Sequence, residues 1–350
     1  MSERNMRAMM YMEPGRLELH EVAVPKPGPD ELLVRVRAAT TCGTDLKTYK
    51  RGYHLLTPPT LFGHEYAGDI VEMGNDVRGF EVGMRVVAHN SAPCHRCHYC
   101  TRGQENLCEN LLLNYGAYAE YITVPGPIVA LNTFVVPDHV PYEVAALTEP
   151  LSAVVHGHRL LSIGHGETVA VIGAGGPIGL MHVQLSKLAG AVQVIAVDMN
   201  PKRLEMAARL GATHTVDASA EDTAERIREL TAGIGVDVAI ESAGSLAAWN
   251  TAVDVARKGG RAQFFGGLKG GTAIELDTYR IHYDELTLIG THHATPLDVR
   301  KAYDLIVTGT IDAGALITEE RPLEELEEAL LRMGSGDAIK VALKPELSVR

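Results

Sequence analysis

The pattern of apolar and polar positions changes near residue 150. Before that point, short apolar or alternating runs separated by Pro and Gly turns predict strands at 32–40 (LLVRVRAAT), 84–89 (MRVVAH) and 119–124 (AEYITV). After Glu149, continuous apolar runs alternate with segments of helical period, which is typical of parallel strands covered by helices on both faces. The sequence therefore predicts a β-rich first part and an α/β second part.

The second part begins with a predicted strand at 169–173 (VAVIG), a glycine-rich turn and a helix over 178–189. Asn200 is a suitable cap for the helix that follows the next strand, Pro201 fits its first turn and Gly211 can end it. Further elements are predicted in chain order: strands at 192–198, 236–242, 261–266 and 286–291, helices within 296–309 and 324–333, and a closing strand within 339–345. This alternation predicts a doubly wound parallel sheet.

Composition limits the classes of partner. A chain of 350 residues, 46% of them hydrophobic, is long enough for about two domains. Its formal net charge is −12 and it has no dense Lys/Arg cluster, so we expect neither nucleic acid nor a membrane as partner. The first residues lack the apolar core of a signal peptide, and we expect a cytoplasmic protein. The uncharged run 168–186 contains five Gly and Pro residues and is predicted to be strand, turn and helix rather than a membrane span.

Four of the five cysteines form one short array with the spacing C-x2-C-x2-C-x7-C: Cys94, Cys97, Cys100 and Cys108. Four thiolates on one loop can close a tetrahedron around Zn²⁺ with no open position, which predicts a structural zinc site. Four metal-free thiols would repel one another when ionised, or would oxidise. A nucleic-acid-binding zinc ribbon is the other alternative, but it usually has basic surroundings.

A second set of metal-binding residue types is dispersed: Cys42 in TCGTD, His64 and Glu65 in FGHEYAG, and Glu149 in LTEPLS. Ligands from separate loops with one open position are typical of a catalytic zinc that acts as a Lewis acid. Taken singly, each residue is weak evidence, because a lone Cys is more often a small buried apolar residue and a lone His or Glu a hydrogen-bonded one.

The glycine-rich turn predicts a dinucleotide site, because backbone N–H groups there can approach a pyrophosphate at a helix N-terminus. Gly173, Gly175 and Gly179 form the pattern, with Ile178 where a strict fingerprint has glycine. Asp198 ends the next strand, 25 positions after Gly173, where a carboxylate can bind ribose hydroxyls and repel a 2′-phosphate. NAD is therefore favoured over NADP. The alternative to a dinucleotide site is an ordinary tight turn between strand and helix.

Together these motifs resemble the zinc-containing medium-chain dehydrogenases, which include alcohol, sorbitol and threonine dehydrogenases. GHEYAG with Gly74 and Val77 is similar to the zinc signature of that family, CGTDLKTY to its first zinc loop, and the four-cysteine array has its spacing. The resemblance covers essentially the whole chain. It implies a GroES-like β-rich catalytic domain (1–151) interrupted by a Rossmann NAD-binding domain (152–291), with 292–350 returning to the first. It also implies two zinc ions per chain and a homodimer or homotetramer.

The implied reaction is reversible oxidation of a secondary alcohol, a polyol or sugar first, with hydride transfer to NAD. By resemblance, Cys42 and His64 bind the catalytic zinc, and Glu65 is a ligand or lies beside it. Glu149 is implied as a further zinc ligand, because the polyol and threonine branches have a glutamate there in place of the cysteine of simple alcohol dehydrogenases. Thr44 is implied to relay the proton. The implied cofactor residues are Gly173, Gly175, Gly176, Ile178, Gly179, Asp198 and Arg203 for the pyrophosphate and adenosine, and Phe265, Gly266, Gly267 and Thr291 for the nicotinamide end.

Two departures from the family pattern leave alternatives open. Lys47 stands where many relatives have a histidine of the proton relay, and His292 and His293 stand where sorbitol dehydrogenases tend to have an arginine. L-threonine 3-dehydrogenase or a general secondary-alcohol dehydrogenase would have the same metal site. A zinc-stabilised binding protein without catalysis is the alternative from another class.

Overall fold

A computed structural model describes residues 4–347, and the chain forms two compact units. The first unit contains the residues up to Ser152 together with those from Ala294 onward. The second unit is the continuous segment Ala153–His293. The chain therefore leaves the first unit and later returns to it.

The strands are β1 (Asn5–Glu13), β2 (Arg16–Ala23), β3 (Leu32–Thr40), β4 (Thr60–Leu61), β5 (Tyr66–Met73), β6 (Arg85–Ala88), β7 (Ser91–Ala92), β8 (Leu112–Leu113), β9 (Tyr121–Val124), β10 (Thr133–Val135), β11 (Thr168–Ile172), β12 (Gln193–Asp198), β13 (His214–Asp217), β14 (Val236–Glu241), β15 (Ala256–Phe264), β16 (Thr287–Gly290), β17 (Ile317–Arg321) and β18 (Lys340–Leu343). The helices are α1 (Gly43–Arg51), α2 (Gly126–Asn132), α3 (Tyr142–Ala145), α4 (Thr148–Leu161), α5 (Pro177–Leu188), α6 (Pro201–Arg209), α7 (Thr223–Leu230), α8 (Leu246–Val255), α9 (Thr278–Tyr283), α10 (Pro296–Val307) and α11 (Leu326–Ser335).

The first unit is built on a seven-stranded sheet of order β10-β6-β5-β3-β18-β17, with β9 also paired to β3. Strand β3 is central, and its apolar residues, among them Leu32, Val34 and Val36, are buried in the core. Strand β18 pairs with β3 in antiparallel register, Ala342 opposite Thr40. The C-terminal strand therefore lies beside the loop that begins after β3.

The second unit is a six-stranded parallel sheet of order β13-β12-β11-β14-β15-β16. Its first strand, β11, is fully apolar after Thr168 because helices cover both faces of the sheet. The strand order reverses between β11 and β14, the position at which doubly wound folds bind nucleotides beyond the carboxyl ends of the strands. Strand β16 is at one edge.

The structure confirms the predicted fold class and the predicted strands, with small shifts at their ends. It adds seven helices for which no range was predicted from the sequence: α1 to α4 before β11, and α7 to α9 between the predicted strands of the second unit. Helix α1 was missed because it is mostly polar and buries only Asp45, Thr48 and Tyr49. Residues 168–186 form β11, the turn and most of α5. None of the helices within residues 4–347 has the length and apolar character needed to cross a membrane.

Candidate active site

Three predicted ligands lie together in the first unit. Cys42 is the N-cap of α1, and its sulfur accepts a hydrogen bond of 3.4 Å from the backbone N–H of Thr44. His64 and Glu65 are buried in the segment just before β5. The sulfur, one imidazole nitrogen and one carboxylate oxygen all lie within 4.8 Å of one another. Sulfur, nitrogen and oxygen donors at this spacing suit a tetrahedral zinc ion with one position left open.

The hydrogen bonds around this group support a cation. Nδ1 of His64 lies 3.0 Å from Oδ1 of Asp45, which leaves Nε2 to act as the ligand atom. Oε1 of Glu65 is buried and has no hydrogen-bond partner among the described residues. A buried carboxylate oxygen without a donor is costly unless a cation contacts it. The residues therefore fit zinc.

The charged groups near His64 also favour a bound cation. Burial opposes a positive charge on the imidazole, yet Asp45 and Cys42 outweigh that effect and raise the pKa of His64 well above its usual value. Surroundings that stabilise positive charge on this ring also favour a metal cation bound to it.

Glu149, predicted as a further ligand of the catalytic zinc, lies outside the close group of three side chains. The described ligand group of Cys42, His64 and Glu65 does not include it. It lies in the first turn of α4, which places its Oε1 3.9 Å from Nε2 of His89. Burial raises the pKa of Glu149 to about 7, and the negative charge of Glu65 adds to this effect. Glu149 is thus a buried carboxyl group near the candidate zinc site, and its role as a zinc ligand stays a prediction.

Thr44 lies in the first turn of α1, exposed and two residues from Cys42. Lys47 is one turn further along the same helix and is also exposed. Both side chains can therefore contact solvent. The relay role of Thr44 stays a prediction.

Sequence reasoning missed the residues that support the ligands. The hydroxyl of Tyr118 donates a hydrogen bond of 2.6 Å to Oδ2 of Asp45, which in turn holds His64. Lys340 is buried in β18 and pairs with Glu65. The available signals were an aspartate in the TCGTD motif and a lysine inside an apolar run, but neither identifies its partner.

The four-cysteine loop is a second candidate zinc site. The four sulfurs lie within 4.8 Å of one another, and Cys97 Sγ is 3.9 Å from Cys108 Sγ. A zinc–sulfur bond of about 2.3 Å implies an edge of about 3.8 Å between sulfurs of a tetrahedron. The sulfur of Cys108 also accepts backbone N–H groups from Cys94 at 3.3 Å and Asn110 at 3.4 Å. The geometry therefore fits a structural zinc ion.

The thiols of this loop titrate very differently. A backbone hydrogen bond from Arg96 is the main reason that the pKa of Cys94 falls to about 6, whereas burial raises the pKa of Cys100 to about 12. All five cysteines of the chain are free of disulfides. A bound cation would be needed to keep all four as thiolates at neutral pH.

Three glycines of the turn in the second unit, Gly173, Gly175 and Gly179, have no room for a side chain. Gly173 has φ +82°, and a Cβ on Gly179 would lie 2.2 Å from the carbonyl oxygen of Gly173. Gly179 thus allows the close approach of α5 to the turn, and Ile178 does not need to be glycine. Gly176 is the N-cap of α5, so the turn leads directly to a helix N-terminus.

Asp198 lies beside this turn. Its Oδ2 accepts a hydrogen bond of 2.8 Å from the backbone N–H of Gly175, and its Oδ1 accepts one of 3.0 Å from Asn200. Arg203, in the first turn of α6, lies close to the same turn: a Cβ added to Gly175 would be 2.5 Å from the Cβ of Arg203. The predicted adenosine residues therefore lie together at the carboxyl end of β12.

The residues predicted for the nicotinamide end follow β15 and β16. The buried Glu241 joins two loops there, accepting N–H groups from Gly244 at 2.6 Å and from Gly266 at 3.1 Å. Phe265 contacts His182 edge to face, with ring centroids 4.9 Å apart. Thr291 donates its backbone N–H to Phe264, and Gly267 is exposed in the loop after β15.

Comparison with known proteins finds matches along nearly the whole chain. Residues 28–133 match the alcohol dehydrogenase GroES-like domain, and residues 177–308 match the zinc-binding dehydrogenase domain. Sorbitol dehydrogenase of Bacillus subtilis strain 168 is 33% identical over 98% of this chain and 98% of its own length. L-threonine 3-dehydrogenase of Chelativorans sp. is 33% identical over 97% of this chain and 98% of its own length. A zinc-binding dehydrogenase from Sinorhizobium meliloti 1021, solved with NADP, has a TM-score of 0.92 and 35% identity over 98% of this chain and 100% of that chain.

Proposed function

The chain belongs to the zinc-containing alcohol dehydrogenase family, and we propose that it oxidises a secondary alcohol of the polyol or sugar class with NAD. The observation that carries this proposal is the group of Cys42, His64 and Glu65, in which Oε1 of Glu65 has no partner among the described residues. Zinc bound there would polarise the substrate oxygen as a Lewis acid, and NAD bound at the glycine-rich turn would accept the hydride. A second zinc in the four-cysteine loop would be structural.

The residues of the chain have separate tasks in this reaction. Cys42, His64 and Glu65 hold the metal, and Asp45 fixes the orientation of the His64 ring. The hydroxyl of Thr44, at the exposed start of α1, takes the proton that leaves the substrate hydroxyl and passes it towards solvent. With Lys47 in place of a relay histidine, the proton leaves through water near Thr44.

Asp198 supports NAD rather than NADP. Its carboxylate lies next to the turn that would hold the pyrophosphate, where it can accept hydrogen bonds from the ribose hydroxyls. The same negative charge would repel a 2′-phosphate. Arg203 is close by and acts in the opposite direction, so the preference depends on the balance of these two side chains.

The polyol or sugar class is supported by the sequence context of Glu149 and by the similarity to sorbitol dehydrogenase. L-threonine is a second candidate substrate, because the threonine dehydrogenase relative has the same identity. Both substrates contain a secondary alcohol and both need the same metal site.

We also propose that the chain forms a homodimer or homotetramer in the cytoplasm. Strand β16 ends the sheet of the second unit and leaves one edge for pairing with a second copy. Five free cysteines suit a reducing compartment. Light scattering of the purified protein gives the number of chains.

Metal analysis combined with turnover tests the proposal. The wild-type chain should hold two zinc ions, one for each group of ligands, and should form NADH in the presence of a suitable alcohol. Cys42→Ala should lose one zinc and nearly all turnover while the melting temperature changes little, because Cys42 is half-buried at a helix end. Full turnover or two zinc ions in Cys42→Ala would refute the assigned site.

A further inference from the structure

Lys340 is a buried lysine at the start of the C-terminal strand. Its side chain is 1% exposed, and its strand, β18, lies between β3 and β17. A buried ammonium group without a partner is strongly unfavourable, so its contacts decide why a lysine is found here.

The ammonium group makes two contacts. It donates a hydrogen bond of 2.8 Å to the carbonyl oxygen of Thr41, and it forms an ion pair with Oε2 of Glu65. The hydroxyl of Thr40 donates to the same oxygen, Oε2. Two donors therefore converge on one oxygen of the Glu65 carboxylate, and Oε1 has none among the described residues.

Strand pairing does not require the ammonium group. The backbone N–H of Thr41 donates to the carbonyl of Val341 at 3.0 Å, and the N–H of Val341 donates to the hydroxyl of Thr41 at 3.0 Å. Ala342 and Leu343 continue the pairing with β3. The Lys340 side chain is thus directed to the carboxylate, beyond what the sheet needs.

The positive charge of Lys340 also balances negative charge at the candidate zinc site. Cys42 as thiolate, Asp45 and Glu65 would bring three negative charges close together. Glu149 is a further buried acid near them. A divalent zinc ion would offset two of these charges, and the ammonium group of Lys340 would offset that of the Glu65 carboxylate. Without Lys340, Glu65 would lose its ion pair and one of the two donors that hold Oε2.

We propose that Lys340 is a positioning residue, which holds Oε2 of Glu65 so that Oε1 remains directed to the metal and zinc is retained. This inference rests on the proposed zinc site of Cys42, His64 and Glu65. It assigns to the C-terminal strand a role in metal retention that the ligands alone do not reveal.

Zinc release to a chromogenic chelator tests the inference, with the two zinc ions resolved as separate kinetic phases. Lys340→Met keeps the length of the side chain but removes the charge, and we expect one phase to become about 10- to 100-fold faster, as for other changes to groups that orient a ligand. Lys340→Arg keeps a cation and its donors and should restore slow release. Lys344→Met is the matched control, because Lys344 is in the same segment but pairs with Glu143 and Glu320 instead.

Replacement of zinc by Co²⁺ gives a second readout, which would stay the same if Lys340 only stabilised the fold. The visible absorption bands of Co²⁺ report the ligand geometry, and they should change in Lys340→Met but not in Lys340→Arg or Lys344→Met. Lys340→Gln, with a shorter and uncharged side chain, loses the ion pair to Oε2 and replaces Lys340→Met if that variant does not fold. Thr40→Val removes the other donor to Oε2 and keeps Lys340, so it measures what the second donor adds. We expect zinc release from Thr40→Val to be faster than from the wild type but slower than from the uncharged Lys340 variant.

The outcomes separate the two proposals. Wild-type release rates and cobalt spectra in folded Lys340→Met, or in Lys340→Gln if Lys340→Met does not fold, would overturn the role of Lys340 and leave the zinc site intact. A wild-type chain that binds zinc only in the four-cysteine loop would instead overturn the zinc site itself, and the inference with it.

Discussion

Nδ1 of His64 lies 3.0 Å from Oδ1 of Asp45, in a contact that is buried on both sides. The carboxylate fixes the ring so that the other nitrogen is available to a metal, and the Tyr118 hydroxyl holds the carboxylate in turn. This chain of contacts joins α1, the ligand segment and the loop before β9.

Asp45→Asn keeps the shape of the side chain but removes its charge. We expect zinc at the candidate active site to bind about 10- to 100-fold more weakly, because the ring loses a negatively charged partner. Competition with a chelator of known affinity measures this change. Tyr118→Phe, which keeps the carboxylate, should weaken zinc binding less, and an equal effect of both would argue against direct support of His64 by Asp45.

Cys97→Ala should release about one zinc ion per chain, because the remaining three thiols cannot close the tetrahedron. The melting temperature should fall or the assembly should break up, since the loop loses its cross-link. Zinc analysis after dialysis and a thermal melt check both. If this variant still holds two zinc ions, the four cysteines do not form the structural site.

Asp198→Ala should shift the cofactor preference towards NADP. Loss of a hydrogen bond to a charged group costs about 1.5–3 kcal/mol, which corresponds to a change of about ten- to a hundredfold in the ratio of the two binding constants. Titration with NAD and with NADP measures the ratio. Asp198→Asn keeps an acceptor for the N–H of Gly175 and separates local structure from charge. An unchanged ratio in both variants would remove Asp198 from the ribose site.

Two stacked histidines predict sensitivity to acid. The rings of His158 and His182 have centroids 5.1 Å apart, and both nitrogens of His182 are buried without a hydrogen-bond partner among the described residues. Burial lowers the pKa of His158 to about 3 and lowers that of His182 well below its usual value. The unfolded chain would bind protons below about pH 6.5 that the folded chain does not, so stability is present above that pH and is lost as the pH falls.

His182→Leu should remove part of this dependence. Each such histidine contributes a slope of up to about 1.4 kcal/mol per pH unit below its unfolded pKa. As the pH falls from about 7.5 to about 5.5, on either side of the unfolded pKa of about 6.5, the urea midpoint of the variant should therefore decrease less than that of the wild type. The exposed His282 serves as control through His282→Gln. Parallel pH curves for His182→Leu and wild type would show that the buried pair is not the cause.

The sequence predicted the parts of this protein that depend on local pattern. Apolar runs such as 169–173 indicated the parallel strands, and the cysteine spacing indicated the four-cysteine site, because both signals lie within a few residues. Helix α1 was not predicted, since its polar sequence has little apolar periodicity.

The supporting contacts of the candidate active site could not be predicted in the same way. Lys340 and Glu65 are 275 positions apart, and Asp45 and Tyr118 are 73 apart, so only the fold reveals these pairs. The neighbour of Glu149 is a further example. The sequence context predicts a zinc ligand at Glu149, but only the fold reveals that its carboxylate lies beside His89.

The most direct test of the central claim is NADH formation by the zinc-replete protein with NAD and a panel of polyols, aldoses, L-threonine and simple secondary alcohols. We predict that a polyol or sugar gives the highest turnover, and that NADP is used less well than NAD. No NADH with any alcohol, from protein in which analysis finds both zinc ions, would contradict the proposed reaction.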